Sequence, residues 1–468
     1  MHNLSWPNLS WIERAPGRPY FVTDGGASWT PIGQNDGISW IEWRGLLHGS
    51  DLGAIERHLA HLRDSGVTCL RFMLEYAETG QHFFEQPAGV FNPVMVQLWD
   101  DLFRLAAAAG LRILLTPVDS YFHWVRWDLH PYNAANGGPC TDRTRLLVCP
   151  GVRALVKARL AFATERWGGS GTLFAWDLWN EMHPVQGEDR LDCFDDYISD
   201  VGPFLRDLET RLHGRAHPQC VSVFGPELHW KPWLNAPVFR HPALDFANNH
   251  FYEEATIDHP QDTVAPALAV GKLVREALSE IADQRPFFDS EHGPIHTFKD
   301  HHITLPEPFD DEYFRHVQWA HLASGGAGGG MRWPNRNPHT LTAGMRRAQR
   351  ALADFLPLVD WPRFDRRPID VEASDPEVAC FACGDRRQAA LWLLRTSPLL
   401  PDGQVDQDRR SAVSVRVPGL LAGRYWAAAW DTRAGRLLDR FPVMADAGGL
   451  LVEMPSMGAD VAVAITPA

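Results

Sequence analysis

The stretch FAWDLWNEMHP, from Phe174 to Pro184, bears most directly on the fold. Its apolar part predicts a buried strand, because a strand covered on both faces of a sheet is apolar along nearly its whole length. This strand ends in Asn180 and Glu181, among tryptophans. A carboxylate at the open end of so apolar a strand indicates a polar site there.

An alternation of short apolar runs and amphipathic stretches fills residues 30–355. The apolar runs predict eight strands, at 31–36, 67–74, 111–118, 173–180, 220–226, 244–252, 286–294 and 328–333. Helical periodicity follows every strand except the fifth, whose connection to the sixth, 226–243, is rich in proline and poor in helical pattern. Eight such units in one chain predict an α/β fold, a (β/α)8 TIM barrel.

The sequence pattern changes after Trp361. Short strand-like pieces such as QAALWLLRT and SAVSVRVPG are separated by Gly, Pro and Asp, and helical periodicity is absent. This pattern predicts a small C-terminal antiparallel β-sandwich. We therefore expect two domains, a catalytic barrel over 1–360 and an accessory β-sandwich over 361–468.

Composition narrows the class of protein. The chain has 468 residues, of which 45% are hydrophobic, and its formal net charge is −14. That charge argues against a nucleic-acid partner, and no apolar run is long enough to span a membrane. The amino terminus lacks both a basic start and an apolar segment, so we expect no signal peptide and a cytoplasmic location. The 19 tryptophans suit either a large core or surfaces on which sugar rings stack.

Cysteines and histidines give little sign of a metal site. Cys380 and Cys383 form a CxxC pair without the second pair that a zinc site needs. A disulfide between Cys140 and Cys149 is one possibility, although free thiols are expected in a reducing compartment. After the predicted seventh strand lies a cluster of histidines at His292, His296, His301 and His302. Acidic partners at metal-like spacing are missing there, so a solvated loop is the expected structure and no metal is predicted.

Polar residues gather at the carboxyl ends of the predicted strands, where reactive groups lie in barrels of this kind. In chain order they are Asn35, Asp36, Arg71, Glu75, Asp119, Tyr121, His123, Asn180, Glu181, Asn249, His250, Tyr252, Glu291, His292 and Trp333. Glu181 and Glu291 end the fourth and seventh strands, which face each other across a barrel mouth, and the apolar runs before them would keep both partly dry. Two carboxylates across a cleft suit glycoside cleavage, with one as proton donor and the other as nucleophile.

Five motifs in order along the chain carry a resemblance to a known family. They are LRFM on the second strand, WNE on the fourth, NHFY on the sixth, SEHG on the seventh and MRW on the eighth. Together they resemble clan A of the glycoside hydrolases, and most of all glycoside hydrolase family five, which holds cellulases and mannanases. The resemblance covers residues 20–355, and the C-terminal domain resembles the accessory domain found after such barrels.

The resemblance implies a role for each matched residue. Glu181 would be the general acid/base and Glu291 the nucleophile. Arg71 and Tyr252 would hold the Glu291 carboxylate, and the charge of Arg71 would keep it ionised. The supporting and substrate-binding residues would be Asn180 at the sugar 2-hydroxyl, His250 on the pocket wall and Trp333 beneath the reactive sugar, with Asn35, Asp119 and His123 at neighbouring strand ends.

Such a pair of glutamates predicts retention of anomeric configuration by double displacement. Glu181 must start protonated near neutral pH, and Glu291 must start ionised. Once Glu291 carries the sugar as an ester its charge is gone, and Glu181 can act as base towards water. The scheme requires carboxyl groups roughly 5–5.5 Å apart and needs no cofactor.

Two regions depart from the family pattern. A histidine usually follows the third strand, and either Asp119 or His123 takes its place here. The insertion 121–150 is long and aromatic. It either walls off one end of the cleft, which would favour short or chain-end substrates, or packs on its own aromatic side chains.

The sequence therefore predicts a retaining β-glycoside hydrolase that acts on β-1,4-linked glucan or mannan, or on oligosaccharides derived from one. A carbohydrate is the expected partner, and the oligomeric state is left open. One alternative is an exo-acting β-glycosidase on the same scaffold, of the β-galactosidase or β-mannosidase type. The others are a metal-dependent hydrolase and a catalytically silent carbohydrate-binding protein, and the two intact glutamates argue against the latter.

Overall fold

The computed structural model describes residues 7–75, 83–295 and 304–468. Within these residues, a parallel sheet of eight strands is followed by a C-terminal antiparallel sheet. The parallel strands are Gly33–Asn35, Cys69–Met73, Arg112–Thr116, Leu173–Asp177, Gln219–Cys220, Ala247–Phe251, Phe287–His292 and Met331–Arg332. We refer to them as barrel strands one to eight. The predicted fold class, a TIM barrel followed by a β-sandwich, is confirmed.

The eight strands close on themselves. Their order around the sheet is five, four, three, two, one, eight, seven, six. Strands five and six meet through a parallel bridge between Phe224 and His250, where the His250 N–H donates to the Val223 carbonyl at 3.0 Å. Closure brings the carboxyl ends of all eight strands around one mouth.

Helices surround the barrel, and some of them begin or end at ordinary capping residues. The α-helices are Leu52–Asp64, Pro93–Ala109, Ser120–Val125, Pro150–Trp167, Cys193–His213, Gly225–Trp230, Asn235–Phe239, Ala265–Glu280, Glu307–Ala323 and Ala343–Phe355. Asp51 caps the first of them by accepting from the Ala54 N–H at 2.9 Å. Gly110 ends the second with a left-handed φ of 77°.

Strands five and eight are shorter than predicted, for local reasons. The helix Gly225–Trp230 begins where the fifth strand was expected to continue, with a proline in its first turn, where no N–H is needed. This helix also lies in the connection that was expected to lack helical structure, so that expectation was wrong. Before strand eight, Gly328 and Gly330 have φ values of 109° and 73°, which L-residues rarely adopt and which interrupt an extended strand.

A small antiparallel sheet precedes the barrel and was not predicted. Its strands are Ile12–Arg14, Phe21–Thr23 and Ser28–Trp29. The rings of Phe21 and Trp29 pack against Phe174, with centroid distances of 5.1 and 4.5 Å. Phe174 lies at the amino end of barrel strand four, so this sheet covers the end of the barrel opposite the mouth.

The C-terminal domain is a β-sandwich with its own core. Its strands are Arg367–Pro368, Glu372–Ala373, Val378–Gly384, Ala389–Arg395, Ser411–Val417, Gly423–Asp431, Arg436–Asp446, Gly449–Met457 and Asp460–Pro467. Buried side chains such as Leu391 and Val413 from different strands share that core. Arg315 on the helix Glu307–Ala323 donates to both oxygens of the buried Asp460 at 2.6 Å and so ties the two domains together.

All seven cysteines are free thiols, so the fold draws none of its stability from disulfides. Among the described residues, no helix combines the length and the apolar character that crossing a bilayer requires.

Candidate active site

Arg71 on barrel strand two lies at the centre of the polar residues in the mouth. One terminal nitrogen of its fully buried side chain donates to Glu291 at 2.9 Å and to Asn35 at 2.8 Å. The other donates to Asp177 at 2.8 Å and to Asn180 at 2.5 Å. Although burial opposes the charge, Asp177 and Glu291 raise the pKa of Arg71 above its usual value. A permanent cation therefore holds four side chains in fixed positions.

Glu291 lies at the end of barrel strand seven between two donors. Arg71 donates to its Oε2, and the Tyr252 hydroxyl donates to its Oε1 at 2.7 Å. Its side chain is only 10% exposed. Burial raises the pKa of Glu291 above its usual value, and His250, Arg71 and the Tyr252 hydroxyl act in the opposite direction. Two direct donors stabilise the carboxylate form of this side chain.

Glu181 has a different environment. It follows barrel strand four with a left-handed φ of 47°, and its N–H donates to the Ser222 hydroxyl at 3.1 Å. A left-handed non-glycine residue stores backbone strain, which is common at functional sites. The carboxyl oxygen lies 2.9 Å from His250 Nδ1. Burial raises the pKa of Glu181 to about 7, against the opposing charge of Arg71.

The two glutamates point into the same space. One carboxylate oxygen of Glu181, one of Glu291 and a ring nitrogen of His250 all lie within 4.8 Å of one another. Desolvation lowers the pKa of His250 to about 4, so its ring is neutral near pH 7. Such donor atoms also suit a metal ion, but the Arg71 guanidinium already supplies positive charge at Glu291. The arrangement offers one carboxyl group whose pKa lies near neutrality and a second that accepts from two donors.

The third barrel strand contributes Asp119. Its Oδ1 accepts from Asn180 Nδ2 at 2.6 Å. His123 instead lies buried beside His130 and Trp179, with ring centroids 4.5 and 5.4 Å away. Of the two residues that the sequence left open, Asp119 is therefore the one that the structure joins to Asn180.

Trp333 follows barrel strand eight at the same mouth. Its backbone N–H donates at 2.7 Å to the carbonyl of His292, the residue after Glu291. The half-buried ring packs edge-on against Trp40 at 5.2 Å. Asn35, at the end of barrel strand one, donates to the Ser290 carbonyl at 2.9 Å.

Three residues of this network were not predicted. The Ser222 hydroxyl donates to Asp177 at 2.8 Å, and the Ser290 hydroxyl lies 3.1 Å from His250 Nε2. Asp177 carried a usable signal, because it is a carboxylate within an otherwise apolar strand. The two serines carried none, since isolated hydroxyls are common in strands.

A second buried cluster of charges lies beside the site, around Arg159. Arg159 donates to Glu75 at 2.5 Å and to Glu85 at 2.6 Å, and the Tyr132 hydroxyl donates to Glu85 at 3.1 Å. We call this group the Arg159 cluster; it ties the insertion 121–150 to the barrel through Tyr132. Although burial opposes it, Arg159 holds the pKa of Glu75 well below its usual range.

Glu75, His123 and His130 have the donor atoms for a metal ion, with one atom of each within 4.8 Å of the others. Their hydrogen bonds argue against that use. His130 Nδ1 accepts from the Tyr132 N–H at 3.1 Å, so its proton lies on Nε2, which faces Glu75 at 3.4 Å. A protonated nitrogen cannot be a ligand.

The predicted histidine cluster can be followed only in part. His292 is buried, with Nδ1 2.7 Å from Asp289. His296, His301 and His302 lie outside the described residues.

No protein-family model matches the sequence, and no curated protein is similar to it in sequence. Solved structures are similar in fold. One named "Glycoside hydrolase" covers 98% of this chain and 97% of its own, with a TM-score of 0.62 and 12% identity. A glycoside hydrolase family 5 structure from Bacteroides vulgatus covers 100% and 96%, with a TM-score of 0.62 and 11% identity. The chain shares the fold of these solved structures.

A third similar structure covers about two thirds of this chain. The glycoside hydrolase family 5 mannosidase from Rhizomucor miehei matches 69% of this chain and 85% of its own, with a TM-score of 0.50 and 14% identity. The two structures with a TM-score of 0.62 extend over nearly all of both chains, so their likeness includes the C-terminal domain. At the level of the fold, the resemblance carried by the five motifs is confirmed.

Proposed function

We propose that this chain is a retaining β-glycoside hydrolase that uses Glu181 as general acid/base and Glu291 as nucleophile. The observation that carries the proposal is the approach of the two carboxylates to within 4.8 Å in one barrel mouth. Retaining enzymes have carboxyl groups roughly 5–5.5 Å apart, whereas inverting enzymes need a wider gap to admit a water molecule.

In the first step, Glu181 donates its proton to the glycosidic oxygen while the C1–O bond breaks. A Glu291 oxygen attacks C1 from the opposite face, and the leaving group departs as an alcohol. The sugar is then bound to Glu291 as an ester. A pKa of about 7 suits Glu181 to this role, because near neutral pH a large share of the molecules carry the proton and the group is still a strong enough acid.

In the second step, the ester returns the sugar to water. Glu181, now a carboxylate, takes a proton from a water molecule, whose oxygen attacks C1. The C1–O bond to Glu291 breaks, and Glu291 leaves as a carboxylate that Arg71 and Tyr252 stabilise. Two displacements at C1 return the β configuration, and both glutamates regain their starting protonation states.

Neighbouring residues prepare this chemistry. Neutral His250 contacts one Glu181 oxygen through Nδ1 at 2.9 Å, which orients the side chain and leaves the other oxygen for the proton that is transferred. Asn180 precedes Glu181 and is placed for the 2-hydroxyl of the reacting sugar. The Trp333 ring is the candidate platform for the apolar face of that sugar.

As substrate we propose a β-1,4-linked glucan or mannan, or an oligosaccharide of one. The mannosidase from Rhizomucor miehei favours testing β-mannosides, and an exo-acting β-glycosidase is the second candidate. Carbohydrate substrates of both kinds would use the same pair of glutamates.

A screen of activity tests the proposal. Aryl β-glucoside, β-mannoside and β-galactoside are assayed beside mannan and soluble glucan, with wild type, Glu181→Gln, Glu291→Gln and the exposed control Glu276→Gln. We expect turnover of at least one substrate by wild type and by Glu276→Gln, and its loss in Glu291→Gln. Products from a hexasaccharide then separate endo from exo action, as a ladder or as single-unit release. Full turnover by Glu291→Gln would overturn the proposal.

A further inference from the structure

Asp119 holds a buried position that ordinary helix capping does not explain. It is 1% exposed, and its Oδ1 accepts from the Tyr121 N–H at 3.0 Å, which caps the helix Ser120–Val125. Asparagine or serine would cap this helix about as well without a buried charge. Its Oδ2 is buried without a partner among the described residues, and burial raises the pKa of Asp119 to about 7. A carboxyl group is therefore kept here at a cost in stability.

The contact that needs this carboxyl group is the one with Asn180. Asn180 Nδ2 donates to Asp119 Oδ1 at 2.6 Å, while Asn180 Oδ1 accepts from Arg71 at 2.5 Å. Arg71 only donates and a carboxylate only accepts. A flipped amide would set nitrogen against the guanidinium and oxygen against the carboxylate. The two charged neighbours thus leave the amide of Asn180 a single orientation.

This orientation has a consequence in the mouth. Nδ2 carries two N–H bonds, and only one of them meets an acceptor among the described residues, at Asp119. The other remains for a ligand beside Glu181. The same Arg71 that fixes the amide oxygen also donates to Glu291 at 2.9 Å. One cation therefore fixes the position of Asn180 relative to Glu291, and Glu181 is the next residue in the chain.

Resting on the function proposed above, we propose that Asp119 is a positioning residue. It locks the amide of Asn180 so that the second N–H meets the 2-hydroxyl of the reacting sugar. Asp119 itself touches no reacting atom. Charged groups around it are Glu75, whose Oε2 accepts from the Asp119 N–H at 3.2 Å, Glu181, and Arg71 beyond Asn180.

A double-mutant cycle tests the coupling. Asp119→Ser keeps a helix cap but withdraws the carboxylate, and it is compared with Asn180→Ala and with the double variant. On the best aryl β-glycoside we expect Asp119→Ser to lower kcat/KM by roughly 30-fold to 100-fold, as for the loss of a buried hydrogen bond to a charged group. In the Asn180→Ala background the same change should cost less than about threefold. A 2-deoxy substrate should be almost insensitive to Asp119→Ser.

The conservative variant Asp119→Asn distinguishes a positioning role from a folding defect. Asp119→Asn keeps the acceptor oxygen and the cap, so we expect recovery to within about tenfold of wild type, with the residual loss again absent when Asn180 is alanine. Losses that multiply in the double variants, or that are equal on the 2-deoxy substrate, would show a merely structural role and overturn the inference.

A measurement without turnover separates this inference from the proposed function. In protein labelled with 15N at asparagine, the side-chain NH2 signals of Asn180 are assigned by Asn180→Ala. We expect them to move and to exchange faster with water in Asp119→Ser, but not in Asp142→Ser, where a comparable cap lies in the insertion. Unchanged signals would contradict the inference even in an active enzyme. If wild type cleaves no glycoside, the proposed function fails, and the NMR result still decides the amide contact.

Discussion

Glu181 and Glu291 in the candidate site, and Glu75 and Glu85 in the Arg159 cluster, occupy comparable places but differ in their charged partners. All four are carboxylates near the mouth, and Glu75 and Glu85 are almost completely buried. Arg159 binds both of them at 2.6 Å or less, and the pKa of Glu75 falls well below its usual range. In the site, Arg71 donates to Glu291 but not to Glu181, and burial raises the pKa of Glu181 to about 7.

The difference lies in how fully each charge is satisfied. A guanidinium and further donors around a carboxylate stabilise its anionic form, so such a group does not serve as a proton donor. Glu181 has a neutral histidine as its partner and a side chain that is 26% exposed, so it can exchange protons with a ligand. Burial by itself does not mark a carboxyl group that can donate a proton; burial without a matching cation does.

Removing Glu291, the proposed nucleophile, should give the largest effect. Glu291→Ala is expected to lower kcat by about 10⁵-fold, because the covalent step is lost. Azide, which fits the vacated space, should restore turnover of an activated aryl β-glycoside and yield the α-glycosyl azide, detectable by mass spectrometry and NMR. Absence of any rescue, together with substantial residual activity, would remove Glu291 from this role.

Breaking the Arg159 cluster should lower the stability of the protein and leave its catalysis nearly unchanged. Glu85→Gln leaves Arg159 with one fewer anionic partner, and we expect a loss of about 3 kcal/mol in the free energy of unfolding. For the folded enzyme, kcat/KM should stay within about threefold of wild type. Urea unfolding and assays on the same samples measure both quantities. A large kinetic defect without a loss of stability would erase the distinction between the two clusters.

The dependence of kcat/KM on pH should show the smallest effect, and the one most specific to Glu181. Glu181 must carry its proton to act as acid, and its raised pKa of about 7 keeps the proton on below that pH. We therefore expect kcat/KM to fall above about pH 7, by tenfold per pH unit, on substrates with poor leaving groups. The fall should persist in Asp119→Asn and vanish in Glu181→Gln, whose residual activity is flat. A wild-type profile level to pH 9 would contradict the assignment.

Much of the fold was readable because its signals repeat. Eight apolar runs separated by helical periodicity fix the order of strands, and the end of each strand locates the residues that meet at the mouth. Strands of two or three residues, such as Ser28–Trp29, are too short to carry a periodic pattern, and so the sheet before the barrel went unseen.

Site residues whose positions follow from the strand ends were predicted from the sequence. Those whose positions depend on the local geometry of loops and short helices were missed. Strand position along the chain could not choose between Asp119 and His123, which lie four residues apart. The choice depends on the short helix Ser120–Val125, which begins directly after Asp119 and packs His123 against His130. Ser222 was missed because a hydroxyl becomes meaningful only when Asp177 and the Glu181 N–H are brought to it.

The anomeric configuration of the first product is the most direct test of double displacement by Glu181 and Glu291. A 1H NMR time course follows hydrolysis of an aryl β-glycoside faster than mutarotation can mix the anomers. For a retaining enzyme, we expect the β-anomer of the free sugar to appear first and the α-anomer to grow in later. The α-anomer as first product would contradict this expectation, because a single displacement by water requires carboxylates farther apart than Glu181 and Glu291.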